Sequence, residues 1–430
     1  MNLLILGATG FVGSWLTTKL LNDSNHHVIC GVQDVSTTQR KFPKASIVYC
    51  NFITDVNLED WLPKLKGIDV IINCVGIFRA NSEIMRKVHY LAPKAIFDAA
   101  QQVGVKRIIH LSALGIENYD SEYAKSKLEA ENYLRTYITA QHFILKPSLI
   151  YGPGATGGIE LMTSLASFPF YTPLPGNGEQ ELQPIHVEDY TNAIINLIET
   201  NLPQSISLTA ASQQVIQLRS LLAELRNWLG LQATTSLKMP EAFMKIVGYL
   251  GNITCESLIT TSSLAMLEQS NVSNVDKILE FQTVTTVTPV NFSEGLHRAP
   301  STSKDKNHAR FYFMFPLLRI SLALMWILSA LTSVFFAKES SYELLTAAQI
   351  TPAWQNLTLY SSAALNAIIG ILLLFNYKPK LNCIVQLLII LVYTILITIL
   401  IPRYWLEPFG PVVKNIPILV SIGLLLIHSQ

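Results

Sequence analysis

The chain has 430 residues, enough for two or three domains, and its formal net charge of +1 indicates no general attraction to nucleic acid. Charged residues make up only 14% of the sequence, well below the ~25% of a typical soluble domain. Residues 311–430 account for this deficit, whereas the first 310 residues have a globular composition. The sequence therefore predicts a soluble part followed by a membrane part.

The cysteines and the N-terminal stretch exclude some alternatives. No CxxC pair or metal-ligand spacing occurs, so we expect reduced, mostly buried thiols and no metal site. The stretch MNLLILGATG has no basic start and reaches a glycine turn too early for a signal peptide. We therefore expect the front part to remain in the cytoplasm. The five cysteines are Cys30, Cys50, Cys74, Cys255 and Cys383.

The chain begins with the pattern of a dinucleotide site. The apolar run NLLIL is followed by GATGFVG and then by the helical stretch SWLTTKLLND. In such a strand–turn–helix order Gly7 allows the tight turn, Gly10 admits a pyrophosphate, and Gly13 lets the helix pack closely on the strand. The free N–H groups of the helix N-terminus then favour phosphates.

Further apolar runs follow at intervals that fit alternating strands and helices. They lack strict alternation, which indicates a parallel sheet covered on both faces. We therefore predict an α/β Rossmann-type fold with a doubly wound parallel sheet. The runs are HHVICGV, SIVYC, DVIINCVG, RIIHLS and HFILKPSLI.

Ligands of such sheets bind beyond the carboxyl ends of the strands. This rule defines the candidate cofactor-binding residues, to which Lys127 is added because its ammonium can hold a ribose. They are Gly7, Thr9, Gly10, Phe11, Val12, Gly13, Gln33, Asp34, Asn51, Asn73, Val75, Gly76, Lys127, Pro147 and Ser148.

Tyr123 and Lys127 are four residues apart, which places them on one face of a helix. Ser112 ends the fifth predicted strand, so this helix can cross the same rim of the sheet. A phenol acts as an acid or base near neutral pH only if its pKa falls from ~10, and a nearby ammonium favours that. We predict Ser112, Tyr123 and Lys127 as the catalytic set. A vestigial site on a nucleotide-binding fold is the alternative.

This part resembles the short-chain dehydrogenase/reductase superfamily, and more narrowly its extended or atypical branch. That branch contains the NmrA-like proteins and the NAD(P)-binding accessory subunit of respiratory complex I. The resemblance implies that Ser112, Tyr123 and Lys127 are catalytic, that Asn73 and Gly76 lie near the adenosine half, and that Pro147 and Ser148 lie beside the nicotinamide. The stretches that carry it are GATGFVG, NCVG, IIHLSALG, YAKSKLEAE, PSLIYGPG and PLPGNGEQELQPIHVEDYTNAI.

The choice between NAD and NADP stays open. Asp34 favours the ribose hydroxyls of NAD, whereas Arg40 and Lys41 could bind the 2′-phosphate of NADP. The chain also departs from the family pattern, with Asn51 where an Asp is usual and Lys146 where many members have Arg.

We assign residues 1–200 to the Rossmann domain, with residues 151–183 as a substrate excursion. Residues 201–300 are predicted to form a small substrate lobe and 301–310 a polar linker. We expect the substrate pocket of this lobe to be apolar, lined by Phe168, Phe170, Tyr171 and Leu174. His186, Glu188 and Asp189 are interpreted as a strand end followed by the first turn of a helix, not as a metal site.

Residues 311–430 contain three apolar stretches long enough to cross a bilayer, 320–337, 357–375 and 381–401. The shorter stretch 415–427 crosses only if it extends back past Lys414. Basic residues before the first stretch and between the second and third favour four spans, with the N-terminal domain and the C-terminus on the cytoplasmic side of the inner membrane.

This segment resembles the DoxX-like four-helix membrane family through RISLALMWILSALTS and IPRYWLEPFGPVVKNIPILV. Among its intramembrane polar residues, we expect Asn366 and Gln386 to tie helices together, and Arg319 and Lys414 to reach the membrane surface.

The favoured hypothesis is a membrane-anchored NAD(P)-dependent oxidoreductase that acts on a carbonyl or alcohol of an apolar, lipid- or quinone-like substrate. Its partners are the bilayer and that small molecule, not nucleic acid. The alternative is a non-catalytic NAD(P)-binding assembly or sensor protein for a respiratory or quinone-biosynthetic membrane complex. A third interpretation is an NAD-dependent epimerase or dehydratase.

Overall fold

A computed structural model describes residues 1–23, 26–78, 80–254, 269–408 and 410–429. The chain divides into two units, of which the first runs to Asn252 and resumes up to Ala309, and the second comprises Ile253, Thr254 and the residues from Arg310 onwards. Cys255 lies outside the described residues.

Seven parallel strands form the central sheet of the first unit, in the order β11-β6-β5-β4-β1-β2-β3. This is the doubly wound Rossmann arrangement that the apolar runs predict. The strands of the first unit are β1 Asn2–Leu6, β2 His27–Val32, β3 Ser46–Tyr49, β4 Val70–Asn73, β5 Arg107–Leu111, β6 Gln141–Pro147, β7 Ile150–Tyr151, β8 Thr172–Pro175, β9 Glu181–Leu182, β10 Ile185–His186, β11 Ile206–Ala210, β12 Ile216–Gln217 and β13 Ser236–Met239.

Helices cover both faces of the sheet. A π-helical turn, Lys87–Leu91, joins two of them, and a 3₁₀ turn spans Ile116–Asn118. The helices are α1 Phe11–Asp23, α2 Val35–Lys41, α3 Leu58–Trp61, α4 Ser82–Arg86, α5 Ala92–Val103, α6 Glu122–Tyr137, α7 Gly158–Ala166, α8 Val187–Glu199, α9 Leu218–Trp228, α10 Glu241–Thr254, α11 Val275–Thr285 and α12 Phe292–Arg298.

The first strand shows why its apolar residues do not alternate with polar ones. Leu3 and Ile5 pack into one core cluster with Tyr190 of α8. Leu4 and Leu6 pack into a second cluster on the opposite face, with Trp61. Both faces of the strand are therefore dry, as in other parallel sheets that carry helices on both sides.

One strand lies outside its predicted domain. Ile206–Ala210, expected in the small lobe, pairs in parallel with β6 and forms the edge of the main sheet. Leu208 and Ala210 are fully buried, in the same core cluster as Phe281 of α11. The assignment of 201–210 to the small lobe is wrong because the crossover through α8 returns the chain to the sheet edge.

The small lobe contains short strand pairs, β7–β10, β9–β12 and β8–β13. Its core includes Leu221, Leu222 and Phe292. None of the four residues predicted to line an apolar pocket borders the cavity of about 270 Å³ in this unit. Leu174 is buried in this core, and Phe170 is 81% exposed at the surface.

The second unit is helical. Three of its helical segments are long and apolar enough to cross a membrane, namely Ser303–Phe336, Pro352–Leu374 and Pro379–Leu400. The fourth apolar helix has only 14 residues, fewer than the ~20 that a bilayer core requires. The first turns of α13, up to Ala309, belong to the first unit. The elements from there on are α13 Ser303–Leu331, the π turn Thr332–Phe336, α14 Lys338–Ala347, α15 Pro352–Leu374, α16 Pro379–Leu400, the 3₁₀ turn Pro402–Trp405 and α17 Asn415–His428.

A chain of hydrogen bonds ties three of these helices. Trp326 of α13 donates to the Gln386 side chain at 2.8 Å, and Gln386 donates to Asn382 at 2.7 Å. Asn382 donates to the Ile369 carbonyl of α15 at 3.3 Å. The tying role predicted for Gln386 is confirmed. Arg319, expected at the membrane surface, is instead enclosed by protein at 4% exposure.

Candidate functional site

The glycine turn after β1 has the geometry that a phosphate cradle needs. Gly7 has a φ of 77°, and the Gly10 N–H donates to the Gly7 carbonyl at 3.0 Å. A Cβ atom on Gly13 would lie 2.1 Å from that same carbonyl oxygen, so only glycine fits. The turn therefore presses the N-terminus of α1 against the strand end, the arrangement that binds anions. Thr9 and Gly10 are exposed at this point, and Phe11 and Val12 are half-buried.

Three predicted residues meet at the ends of β2 and β3. Gln33 donates through its side-chain amide to the Asn51 oxygen at 2.9 Å. Asp34 caps α2 by accepting from the Thr37 N–H at 3.0 Å, and hydrogen bonds from the Thr37 side chain, the Thr37 N–H and the Ser36 hydroxyl lower its pKa to about 2. The carboxylate is therefore ionised at neutral pH, which suits a ribose diol. Arg40 is held by the Thr37 hydroxyl at 3.3 Å.

The end of β4 is shaped by a buried amide. Asn73 is 1% exposed, its side-chain nitrogen lies 3.2 Å from His110 Nδ1, and its oxygen accepts from the Val75 N–H at 3.1 Å. Asn73 therefore fixes the loop and does not itself reach the surface. A Cβ atom on Gly76 would lie 3.6 Å from Lys127 Nζ, so this loop brings the cleft and the lysine together.

Helix α6 carries Tyr123 and Lys127 on its buried face. Ser121 begins the helix by accepting from the Ala124 N–H at 3.2 Å. Lys127 Nζ donates to the Leu111 carbonyl, the last residue of β5, at 3.0 Å and lies 5.7 Å from the centre of the Tyr123 ring. Ser112 follows directly on β5. The fold thus brings the three predicted catalytic residues to one edge of the sheet.

Burial changes the proton affinity of both α6 residues. Burial lowers the pKa of Lys127 to about 8, with Glu131 opposing that change. Burial raises the pKa of Tyr123 well above its ordinary value. In this state the phenol keeps its proton, and the ammonium beside it is the group that would favour its loss.

Two aromatic rings enclose Tyr123. Phe78 stacks on it with ring centres 4.8 Å apart, and His89 meets it edge-on at 5.2 Å. His89 Nε2 accepts from the Ile77 N–H at 3.0 Å, and burial lowers its pKa to about 2. His89 is therefore a neutral residue that holds the loop bearing Phe78.

Glu131 is a residue of this site that sequence reasoning missed. It is fully buried, its carboxylate accepts from the Ser112 hydroxyl, and Lys146 Nζ lies 3.0 Å away. Arg135 donates to it at 2.9 Å. A signal was available, because Tyr123, Lys127, Glu131 and Arg135 follow one another at four-residue spacing on one helix face.

Asn271 is a second missed residue. The Ser148 hydroxyl donates to its side-chain oxygen at 2.8 Å, and its nitrogen donates to the Leu114 carbonyl at 3.0 Å. It thus joins the loops that follow β5 and β6, beside Pro147, whose carbonyl accepts from the Leu114 N–H at 2.8 Å. No local pattern marks it, since it lies 123 residues from Ser148 in the chain.

The strand end and first helix turn predicted at His186, Glu188 and Asp189 are confirmed. His186 ends β10 and its ring accepts from the Glu188 N–H at 3.3 Å, in the first turn of α8. Asp189 pairs with Arg298 at 2.6 Å.

Comparisons with known proteins agree with the two-part organisation. Residues 3–207 match the NAD dependent epimerase/dehydratase family, and residues 323–423 match the DoxX-like family. The chain therefore has an N-terminal part similar to NAD dependent epimerases/dehydratases and a C-terminal part similar to the DoxX-like family. Both resemblances stated from the sequence are confirmed.

Relatives cover parts of the chain. It is 25% identical to mouse NADH dehydrogenase (ubiquinone) 1 alpha subcomplex subunit 9 over 48% of this chain and 55% of that protein. It is 26% identical to dihydroflavonol 4-reductase of Zea mays over 52% of this chain and 73% of that enzyme. The chain thus spans about half the length of the complex I subunit.

Among solved structures, the UDP-glucuronic acid 4-epimerase of Bacillus cereus in complex with NAD superposes with a TM-score of 0.54. The match has 16% identity and covers 73% of this chain and all of that chain. At this identity the likeness establishes the fold.

Proposed function

We propose that the protein is a membrane-anchored NAD(P)-dependent oxidoreductase with Ser112, Tyr123 and Lys127 as its catalytic residues. The observation that carries this proposal is the position of Lys127, which is 5% exposed yet holds its ammonium beside both the Tyr123 ring and Gly76. Burying a lysine without an ion pair is costly, so such a lysine usually serves chemistry.

The glycine turn and the rim residues fit a dinucleotide. Gly7–Gly13 would hold the pyrophosphate, Asp34 the adenosine ribose, and Asn51 the adenine. Lys127 would hold the nicotinamide ribose, with Pro147 and Ser148 beside the nicotinamide ring. When bound, the nicotinamide would supply or accept the hydride. Both NAD and NADP remain compatible with these side chains.

Residues of this chain would carry out the proton transfer. Tyr123 would protonate the developing alkoxide of a carbonyl substrate, or remove the proton of an alcohol. Lys127 would lower the phenol's proton affinity, since an ammonium stabilises a nearby phenolate. Ser112 would orient the substrate oxygen, which requires its hydroxyl to turn from Glu131.

An apolar carbonyl or alcohol, lipid- or quinone-like, is the substrate class we favour. Phe78 shows that a ring can stack on Tyr123, and the DoxX-like domain supports access to membrane-soluble molecules. We further propose four membrane spans with both the N-terminal domain and the C-terminus on the cytoplasmic side of the inner membrane.

A second function has its own support. Phe78 covers Tyr123, and the Ser112 hydroxyl is bound to Glu131, a state in which no substrate could react. Together with the complex I relative, this favours a non-catalytic NAD(P)-binding assembly or sensor protein for a respiratory or quinone-biosynthetic membrane partner. The match to the epimerase/dehydratase family also supports a third function, in which NAD is used catalytically with no net oxidation.

The test uses the full chain purified in detergent. Thermal unfolding with NAD or NADP measures cofactor binding, and NAD(P)H consumption with a panel of quinones and long-chain aldehydes measures turnover. Tyr123→Phe should keep the thermal protection and lose turnover. Tyr137→Phe, at the exposed end of the same helix, is the matched control and should retain both the thermal protection by nucleotide and the turnover.

Unchanged turnover in Tyr123→Phe would refute the catalytic assignment. Protection of the wild-type protein without turnover on any compound would favour the assembly or sensor function. Native mass spectrometry of the purified protein identifies the nucleotide that it retains, and a tightly held NAD without net oxidation would favour the epimerase function.

A further inference from the structure

The first unit contains a cavity of about 270 Å³ outside the nucleotide cleft. It lies between the loop after β7, helices α7, α9 and α12, and the first turns of α13. None of the predicted site residues, all of which the structure describes, is among its lining residues. The proposed chemistry therefore leaves this cavity unexplained.

The floor of the cavity is apolar. Its lining side chains there are almost completely enclosed, and the indole of Trp228 is fixed at the wall by donating to the Ala299 carbonyl at 2.8 Å. A cavity with an apolar lining binds ordered water poorly but accepts hydrocarbon. An engineered apolar cavity of about 150 Å³, for example, stays dry and binds benzene. The floor residues are Ile159, Leu225, Leu296 and Ala309.

The mouth carries charged groups, and its acids are already engaged. Glu160 pairs with His308 at 2.8 Å and accepts from the Gly157 N–H at 3.2 Å. Asp305 accepts from both the N–H and the hydroxyl of Thr302, at 2.8 and 2.6 Å.

Lys304 is different. It is exposed at the same mouth, and its ammonium makes no ion pair or hydrogen bond with any of the described residues. The mouth thus offers one cation that is available to a ligand.

The membrane supplies the class of ligand. Lys304 lies in α13, the helix that contains the first candidate span, and the charge-free stretch 320–337 begins sixteen residues after it. Molecules with an apolar chain and a charged head are abundant where such a helix enters a bilayer.

We propose that this cavity binds a single-chain anionic amphiphile, a long-chain fatty carboxylate. The end of its chain enters the floor beside Trp228, and its carboxylate pairs with Lys304. The volume accommodates part of one chain and leaves no room for a second, so a two-chain phospholipid is disfavoured. This site is independent of the proposed oxidoreductase function.

The test is photolabelling of the full chain in detergent with a diazirine-bearing fatty acid, mapped by peptide mass spectrometry. Oleate should compete for labelling of peptides that contain the cavity residues. Oleyl alcohol, which lacks the charge, and dioleoyl phosphatidylglycerol, which has two chains, should compete several-fold more weakly. Equal competition by oleyl alcohol would overturn the role of the anion, and stronger competition by the phospholipid would overturn the single-chain assignment.

Two variants make the test specific. Thr163→Phe fills the cavity from α7, where the threonine hydroxyl donates to the Ile159 carbonyl of its own helix, and should reduce labelling about tenfold. Lys304→Gln should weaken oleate competition about threefold to fivefold, the scale of a partly exposed ion pair.

Lys306→Gln is the matched control, because its ammonium bonds the Gly230 carbonyl and does not line the cavity. It should behave as wild type. Labelling of Thr163→Phe at the wild-type level, with an unchanged melting temperature, would overturn the site. Should that variant melt early, identical oleate competition in Lys304→Gln and wild type would overturn the carboxylate contact.

Discussion

The ring of Phe78 lies nearly parallel to the ring of Tyr123, with 18° between their planes. Phe78 is itself 54% exposed, so it covers the phenol from the solvent side without belonging to a core. Tyr123 is consequently only 9% exposed. The covered face is where a flat substrate would have to lie, so binding requires Phe78 to move.

Replacing Phe78 by Ala should therefore expose Tyr123 at small cost in stability, since an aromatic pair contributes about 1 kcal/mol. We expect tetranitromethane to nitrate Tyr123 in Phe78→Ala and to leave it largely unmodified in wild type, as peptide mass spectrometry can measure. Phe170→Ala, which removes an 81% exposed ring, is the control. Equal nitration of Tyr123 in wild type would show that Phe78 does not protect it.

The fold was predictable because the strands of a parallel sheet that is buried on both faces consist of continuous apolar runs. The Ser112, Tyr123 and Lys127 cluster was predictable for a related reason, since the carboxyl ends of parallel strands share one edge. The edge strand Ile206–Ala210 was not, because nothing local distinguishes it from a short strand of the lobe.

The two site residues that the sequence analysis did not predict, Glu131 and Asn271, were missed for a different reason. The four-residue spacing places Glu131 on the same helix face as Tyr123 and Lys127, but its contacts with Ser112 and Lys146 depend on how α6 packs against the sheet. Asn271 depends on pairing between distant segments. Such contacts follow from tertiary packing, which a single sequence does not display.

The lowered pKa of Lys127 makes a prediction about stability and pH. The unfolded chain binds the lysine proton with a pKa near 10.5 and the folded chain with a pKa of about 8. The free energy of unfolding is therefore reduced below pH 8 and recovers as the pH rises from 8 to 10.5. The penalty is of the order of 3 kcal/mol.

Lys127→Met should remove that penalty. We expect the nucleotide-free variant to melt about 5 °C higher than wild type at pH 7, with the difference shrinking towards pH 10.5 and turnover lost. Lys125→Met, an exposed residue on the same helix that pairs with Asp120, should change the melting temperature little. A Lys127→Met protein that melts below wild type at pH 7 would contradict the assigned burial cost.

The buried carboxylate of Glu131 should dominate the local stability. Glu131→Ala leaves the Ser112 hydroxyl without its acceptor and removes one partner of Lys146, so we expect a loss of about 3 kcal/mol or more. Thermal unfolding of the full chain measures it. The double variant Glu131→Leu with Lys146→Met should recover part of the loss, because the Lys146 ammonium is then no longer left beside the site of the lost carboxylate.

Glu129→Ala is the control for this network. Glu129 pairs with Arg86 at 3.4 Å on the exposed side of the same helix, and such pairs contribute about 0–1 kcal/mol. Comparable losses for Glu129→Ala and Glu131→Ala would mean that the network does not stabilise the fold.

The number of membrane spans can be decided with two single-cysteine positions. Glu339 lies in the segment between the first and second apolar helices, and Ser429 follows α17. With four spans and a cytoplasmic N-terminal domain, a membrane-impermeant maleimide added to intact cells should label Glu339→Cys and spare Ser429→Cys until the cells are permeabilised. The experiment turns on α17, which has 14 residues, whereas about 20 residues span a bilayer core. If α17 stays on the outer side, Ser429→Cys will be labelled in intact cells. The wild-type protein is the background control and measures labelling of the natural cysteines, of which Cys30, Cys50 and Cys383 are buried and Cys74 is half-buried.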